Sequence, residues 1–110
     1  MTEITISMKH DKVKIRAKGH ATGSNEVCSA ISTLICSLEA WIVNNPDCVR
    51  KHFSDIEAGD VHIEFVPVES ESYTALEFLV IGLVNLAKNY GEYVTVSVSS
   101  EISHLLRTRN

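Results

Sequence analysis

The residues best suited to chemistry stand together in one stretch, "GHATGSNEVCSAIS", at residues 19–32. It sets the imidazole of His20 upstream of the thiol of Cys28. An imidazole beside a thiol can take its proton and later give one to a leaving amine. Ser24 and Asn25 are both good N-caps, so Cys28 falls in the first turn of a predicted helix. Unpaired N–H groups and the positive dipole end at such a place favour the thiolate. Cys28 lies at the edge of that helix's apolar stripe, where a reactant can reach it. Gly19 allows a sharp turn or lets the backbone approach a substrate closely. Ser32, one helical turn after Cys28, points to the same side. Asn25 either caps the helix or orients His20, as a third group does in other cysteine enzymes. Spacing alone leaves a bland reading open as well. A buried cysteine is usually a small hydrophobe, and a histidine at a strand end is usually solvated.

The remaining candidates read as structural or as surface. Cys36 and Cys48 read as structural thiols. His10, His52, His62 and His104 read as surface residues, since none has a cysteine or carboxylate cluster at metal-ligand spacing. No metal and no cofactor is expected.

Several elements must position these groups. Ile4, Ile6 and Met8 alternate with polar residues over residues 2–9, and Val13, Ile15 and Ala17 alternate with Lys12, Lys14, Arg16 and Lys18. Both are strands with one buried face, joined by a turn at His10-Asp11. Val27, Ile31, Leu34, Ile35, Leu38, Trp41 and Ile42 recur at helical spacing. The other face of that helix carries Ser29, Ser32, Thr33, Cys36 and Ala40, small residues that suggest a second helix or a second subunit packed there. Pro46 ends it. Residues 46–60 read as loop. Val61, Ile63 and Phe65 alternate as a third strand. A second helix follows Ser70 and Ser72, with a capping box at Thr74-x-x-Glu77 and apolar residues nearly all round. Gly82 in its middle costs about 1 kcal/mol relative to Ala, which close backbone packing can offset. Gly91 stands at its end, and residues 92–99 are a fourth strand. The order β-β-α-β-α-β gives an α+β fold: a mostly antiparallel four-stranded sheet with two helices packed on one face. One domain over 1–99 is expected, with a C-terminal tail at 100–110.

Composition narrows the classes. The 110 residues carry a net charge of −4 and 45% hydrophobic residues, ordinary for a soluble globular domain and unlike a nucleic-acid binder. A basic segment (Lys9 to Lys18) precedes an acidic one (Asp55 to Glu77), either as solvated faces or as an edge that guides an acidic partner. Three cysteines and no signal-peptide pattern point to the cytoplasm. The longest apolar run, residues 78–84, is far too short to span a bilayer, so no membrane partner is expected.

The stretch around Cys28 resembles the signature of the Prp family, ribosomal-processing cysteine proteases of Firmicutes and relatives. That signature is Gly-His-Ala, a glycine-rich loop, then Asp-x-Val-Cys-Ala-Ala-Val-Ser. The segments "GDVHIEFVP" and "LEFLVIGLVNLAKNYGEYVTVSV" resemble the family's third strand and its closing helix and strand. The resemblance implies a small α+β homodimer that removes an N-terminal extension from a ribosomal protein or, in phage-linked members, processes a capsid or scaffold protein. By position it implies Cys28 as nucleophile and His20 as base, with Gly19 and Ser32 at further active-site positions. Two departures stand out. The loop between His20 and Cys28 is short for the family, and Asn25 replaces an Asp, so this position carries no charge to stabilise an imidazolium. The second reading these departures support is a dimeric protein-binding module of the same fold with weakened catalysis.

Overall fold

The structure is a computed structural model and describes residues 1–20 and 23–109. Its elements are β1 (Thr2–Lys9), β2 (Lys12–Lys18), α1 (Asn25–Asn44), a 3-10 turn at Pro46–Cys48, β3 (Val49–Glu57), β4 (Asp60–Pro67), α2 (Ser70–Asn89), β5 (Val94–Val98) and α3 (Ser100–Arg109). The α+β class expected from the sequence holds, with five strands rather than four. The strand order is β3-β4-β2-β1-β5. Among the described residues, only the β1–β5 pair is parallel.

Period-two alternation sets which face is buried. Ile4, Ile6, Val13, Ile15, Ala17, Ile63 and Phe65 are all buried, and they meet Val27, Ile31, Ile35, Leu38 and Ile42 of α1 and Leu76, Leu79 and Leu83 of α2 in one core. The opposite face carries exposed Thr5, Lys14, Arg16 and Lys18. Lys12 pairs with Glu64 at 3.4 Å and Arg16 with Asp60 at 3.6 Å, so carboxylates of β4 meet the basic strand. The β1–β2 turn places His10 at φ 52° and Asp11 at φ 66°. Positive φ at both central residues matches the twist of a two-residue hairpin.

The extra strand lies within the segment read as a loop. Apart from Val49, β3 is exposed along its length, so no hydrophobic alternation marks it. A bulge interrupts its pairing between Arg50 and Phe53, with Lys51 at φ 53°. Within the bulge, His52 lies 2.7 Å from one oxygen of Glu39 on α1, and beyond it the Ser54 hydroxyl donates to the other at 2.9 Å. Glu39 thereby fastens the hairpin to α1.

Helix α1 spans 20 residues and is apolar enough, by length and composition, to cross a membrane. Its apolar stripe packs against the sheet, as in the core helix of a globular domain. Where α1 crosses α2, a Cβ on Gly82 would lie 3.0 Å from a δ-carbon of Leu34. The glycine is therefore the point of close approach between the helices. The capping box fails: α2 begins at Ser70, so Thr74 lies inside the helix and donates to the Ser70 carbonyl. Residues 100–109 form α3, with Ile102 and Leu106 buried against the core.

Candidate active site

Two elements that end close together build the site. Strand β2 closes at Lys18, and the chain turns at Gly19 with φ 94°. A Cβ there would sit 2.4 Å from the Met1 carbonyl oxygen, so the close approach at this glycine is to the chain's own N-terminal residue rather than to a substrate. His20 follows. The chain re-enters regular structure at Ser24, whose hydroxyl accepts the Val27 N–H at 3.2 Å and caps α1. Residues 21 and 22 of the connecting loop lie outside the described residues.

The cap shifts the position of the thiol. Ser24 is the N-cap rather than Asn25, so Cys28 is the fourth helical residue. Its N–H points to the Ser24 carbonyl at 3.3 Å. Cys28 thus stands just past the helix's unpaired donors, not among them. Asn25 is exposed at the first helical position and lies outside the cavity described next.

A cavity of about 310 Å³ lies between the start of α1, the end of β2 and the β3–β4 turn. It brings together Gly19, His20, Cys28 and Ser32, four of the five residues singled out in the sequence. Cys28 is half-buried and Ser32 exposed, so both face reactant-accessible space. Cys36, read as structural, is instead exposed and borders the same cavity two turns beyond Cys28. The floor is apolar, from Ile31, Ile35 and Val61.

The opposite wall escaped the sequence reading. Ile56, Glu57, Ala58, Gly59 and Asp60 line it, all at the β3–β4 turn or its flanks. One signal was present: Ala58-Gly59 stands between Ile56 and Val61, the spacing of a two-residue hairpin with a glycine. The Gly59 carbonyl accepts the Gly19 N–H at 2.9 Å, tying this wall to the residue before His20. Two carboxylates, Glu57 and Asp60, therefore stand in the cavity wall.

The other thiol and histidines lie elsewhere. Burial pushes the Cys48 thiol up, and the charges of Glu71, Glu69 and Asp47 add to this, which suppresses its thiolate. His52 and His62 are not free surface groups: each lies 2.7 Å from a carboxylate, of Glu39 and Glu64 respectively. A larger cavity, about 800 Å³ between α1 and α2, is lined by Leu34, Trp41, Phe78 and Leu79 and carries neither a thiol nor an imidazole. Among the described residues, no group of three His, Cys, Asp or Glu side chains is arranged to hold a metal ion.

Comparison with known proteins adds to this geometry. The family model described as cysteine protease Prp matches residues 1–95. A structure of the S. aureus ribosomal processing protease Prp with a substrate peptide superposes with a TM-score of 0.68 at 17% identity, covering 90% of this chain and 100% of that one. The same protease with a covalently linked product peptide gives 0.65 at 19%, over 90% and 100%. SMU.848 from Streptococcus mutans gives 0.66 at 26%, over 89% and 93%. No curated protein matches the chain significantly.

Proposed function

The chain belongs to the Prp cysteine protease family, and on that premise we propose that it is a cysteine endopeptidase. Its substrate is a protein whose N-terminal extension it removes, a ribosomal protein or a phage capsid or scaffold protein. The observation that carries this reading is the shared cavity: Cys28 and His20, from different elements, border one accessible space.

In this reading the Cys28 sulfur attacks the carbonyl carbon of the scissile bond while His20 holds the thiol's proton. The tetrahedral intermediate collapses to a thioester, and the proton passes from His20 to the leaving amine. Water, deprotonated by His20, then cleaves the thioester and frees the thiol. The Val27 and Cys28 N–H groups already face Ser24. The Ser32 hydroxyl, bordering the same cavity, is the donor we assign to the oxyanion. None of the three cysteines is in a disulfide, which accords with a reducing, cytoplasmic setting.

We also propose a homodimer. The outer face of α2 exposes Phe78 (74%) and Ile81 (53%), and Phe78 also lines the apolar α1–α2 groove. Large apolar groups clustered on one exposed face mark a protein contact.

The test is cleavage of peptides spanning the family's cleavage motif, beside a Cys28→Ala variant. Cleavage lost in the variant supports the reading, and an intact peptide with wild-type protein contradicts it. Asn25, uncharged and outside the cavity, favours the second reading of a non-catalytic dimeric binding module. Peptide binding that survives Cys28→Ala, with no turnover by either form, would establish it.

A further inference from the structure

We propose that Gly59 is a positioning residue: its bare α-carbon is the seat on which the His20 imidazole rests. The proposal deepens the reading of His20 as the base and rests on it. A Cβ built on Gly59 would lie 2.4 Å from His20 Nε2, 2.8 Å from Cε1 and 3.2 Å from Cδ2. Real side chains never approach so closely, so the ring occupies the volume that any other residue at 59 would fill. The edge facing the glycine runs from Cδ2 through Nε2 to Cε1, which leaves Nδ1 on the far side of the ring.

Turn chemistry alone does not demand glycine here. Gly59 has φ 78° in the two-residue connection between Glu57 and Asp60. Asn and Asp also tolerate such a φ. The chain itself places His10 and Asp11 at positive φ in its other two-residue hairpin. What distinguishes position 59 is the ring edge set against it. A second contact fixes the same register, since the N–H of Gly19, the residue before His20, donates to the Gly59 carbonyl at 2.9 Å. The β3–β4 turn therefore holds both the backbone entering His20 and one edge of its ring. Glu39, bonded to His52 and Ser54, anchors the same hairpin to α1, the helix that carries Cys28. Imidazole and thiol are thus referred to each other through one hairpin.

The closing experiment uses the full chain with Gly59→Asn, which keeps the turn's φ but adds a Cβ, and Gly59→Ala. Wild-type protein is read first by NMR, with His20 ring signals assigned by their loss in His20→Asn. A cross-relaxation signal between the Gly59 α-protons and the His20 ring is expected, and its absence overturns the proposal without any variant. In both variants the ring's shifts and its titration should move, and kcat should fall by about a hundredfold with KM changed less than about twofold. Ring signals that stay at their wild-type positions in a folded Gly59→Asn overturn the seat. So does wild-type kcat in that variant. A wild-type enzyme that cleaves nothing counts against the protease reading instead, while the ring signals still decide the seat.

Discussion

A thiol and an imidazole form a catalytic pair only if their surroundings hold them to one geometry, and here those surroundings are few and named. Cys28→Ala should reduce peptide cleavage to background, and Ser32→Ala should lower kcat by about ten- to a hundredfold with little change in KM, checked by steady-state kinetics. Away from the cavity, Glu64 illustrates a carboxylate whose contacts decide its titration. Burial raises its carboxyl, but the hydrogen bond from Lys12 and the charges of Lys14 and His62 outweigh this and hold it below its ordinary value of 4.5. A carboxyl lowered by folding stabilises the fold above its unfolded value, and that contribution fades as pH falls through the folded value. Glu64→Gln should therefore lower the urea midpoint at pH 7, and the deficit should shrink progressively below pH ~4.5, where both states become protonated. The type and spacing of Cys28 and Ser32 were readable because helix periodicity places them one turn apart, whereas His20 was readable from its place just after a strand. Ser24 and Asn25 were not separable, since both suit a cap and only the hydroxyl-to-Val27 contact selects one.

At the level of elements, the long periodic segments were legible and the sparse ones were not. Helices α1 and α2 and four strands bury regular stripes, which is the signal that sequence pattern carries. Strand β3 buries only Val49, so nothing in its polarity separated it from a loop. Its hydrogen bonding to β4 and the grip of Glu39 hold it instead. The close approach foreseen at Gly82 is met by Leu34. Gly82→Ala should gain about 1 kcal/mol of helix propensity when Leu34 is also Ala, and less than about 0.5 kcal/mol when Leu34 remains, because its δ-carbons must shift. Denaturant unfolding of the four combinations measures that coupling. Replacing His10-Asp11 by Asn-Gly, which suits positive φ at both positions, should raise stability by about 1 kcal/mol in the same assay.

For the whole molecule, the sheet divides two surfaces of different character. Its open face is polar, with Lys12 and Arg16 met by Glu64 and Asp60, and surface pairs of this kind contribute at most about 1 kcal/mol each. The helical side presents the exposed apolar groups of α1 and α2, and the small residues Ser29, Thr33 and Ala40 of α1 remain uncovered within one chain. No single residue type announces such a surface in sequence. An exposed phenylalanine and a buried one look alike until the helix is docked, as Phe78 and Phe65 show. Sedimentation velocity should give a dimer for the wild-type protein, and Phe78→Glu should yield a folded monomer. A wild-type monomer at micromolar concentration would contradict the proposed assembly.

The central claim is that His20 acts on Cys28 across their shared cavity. It is tested most directly by the pH dependence of Cys28 alkylation by iodoacetamide, followed by peptide mass mapping so that the exposed Cys36 is counted separately. The account predicts that Cys28 reacts faster at neutral pH in wild-type protein than in His20→Ala, with the two profiles converging at alkaline pH, while Cys36 behaves alike in both. Superimposable Cys28 profiles in the two proteins would contradict it.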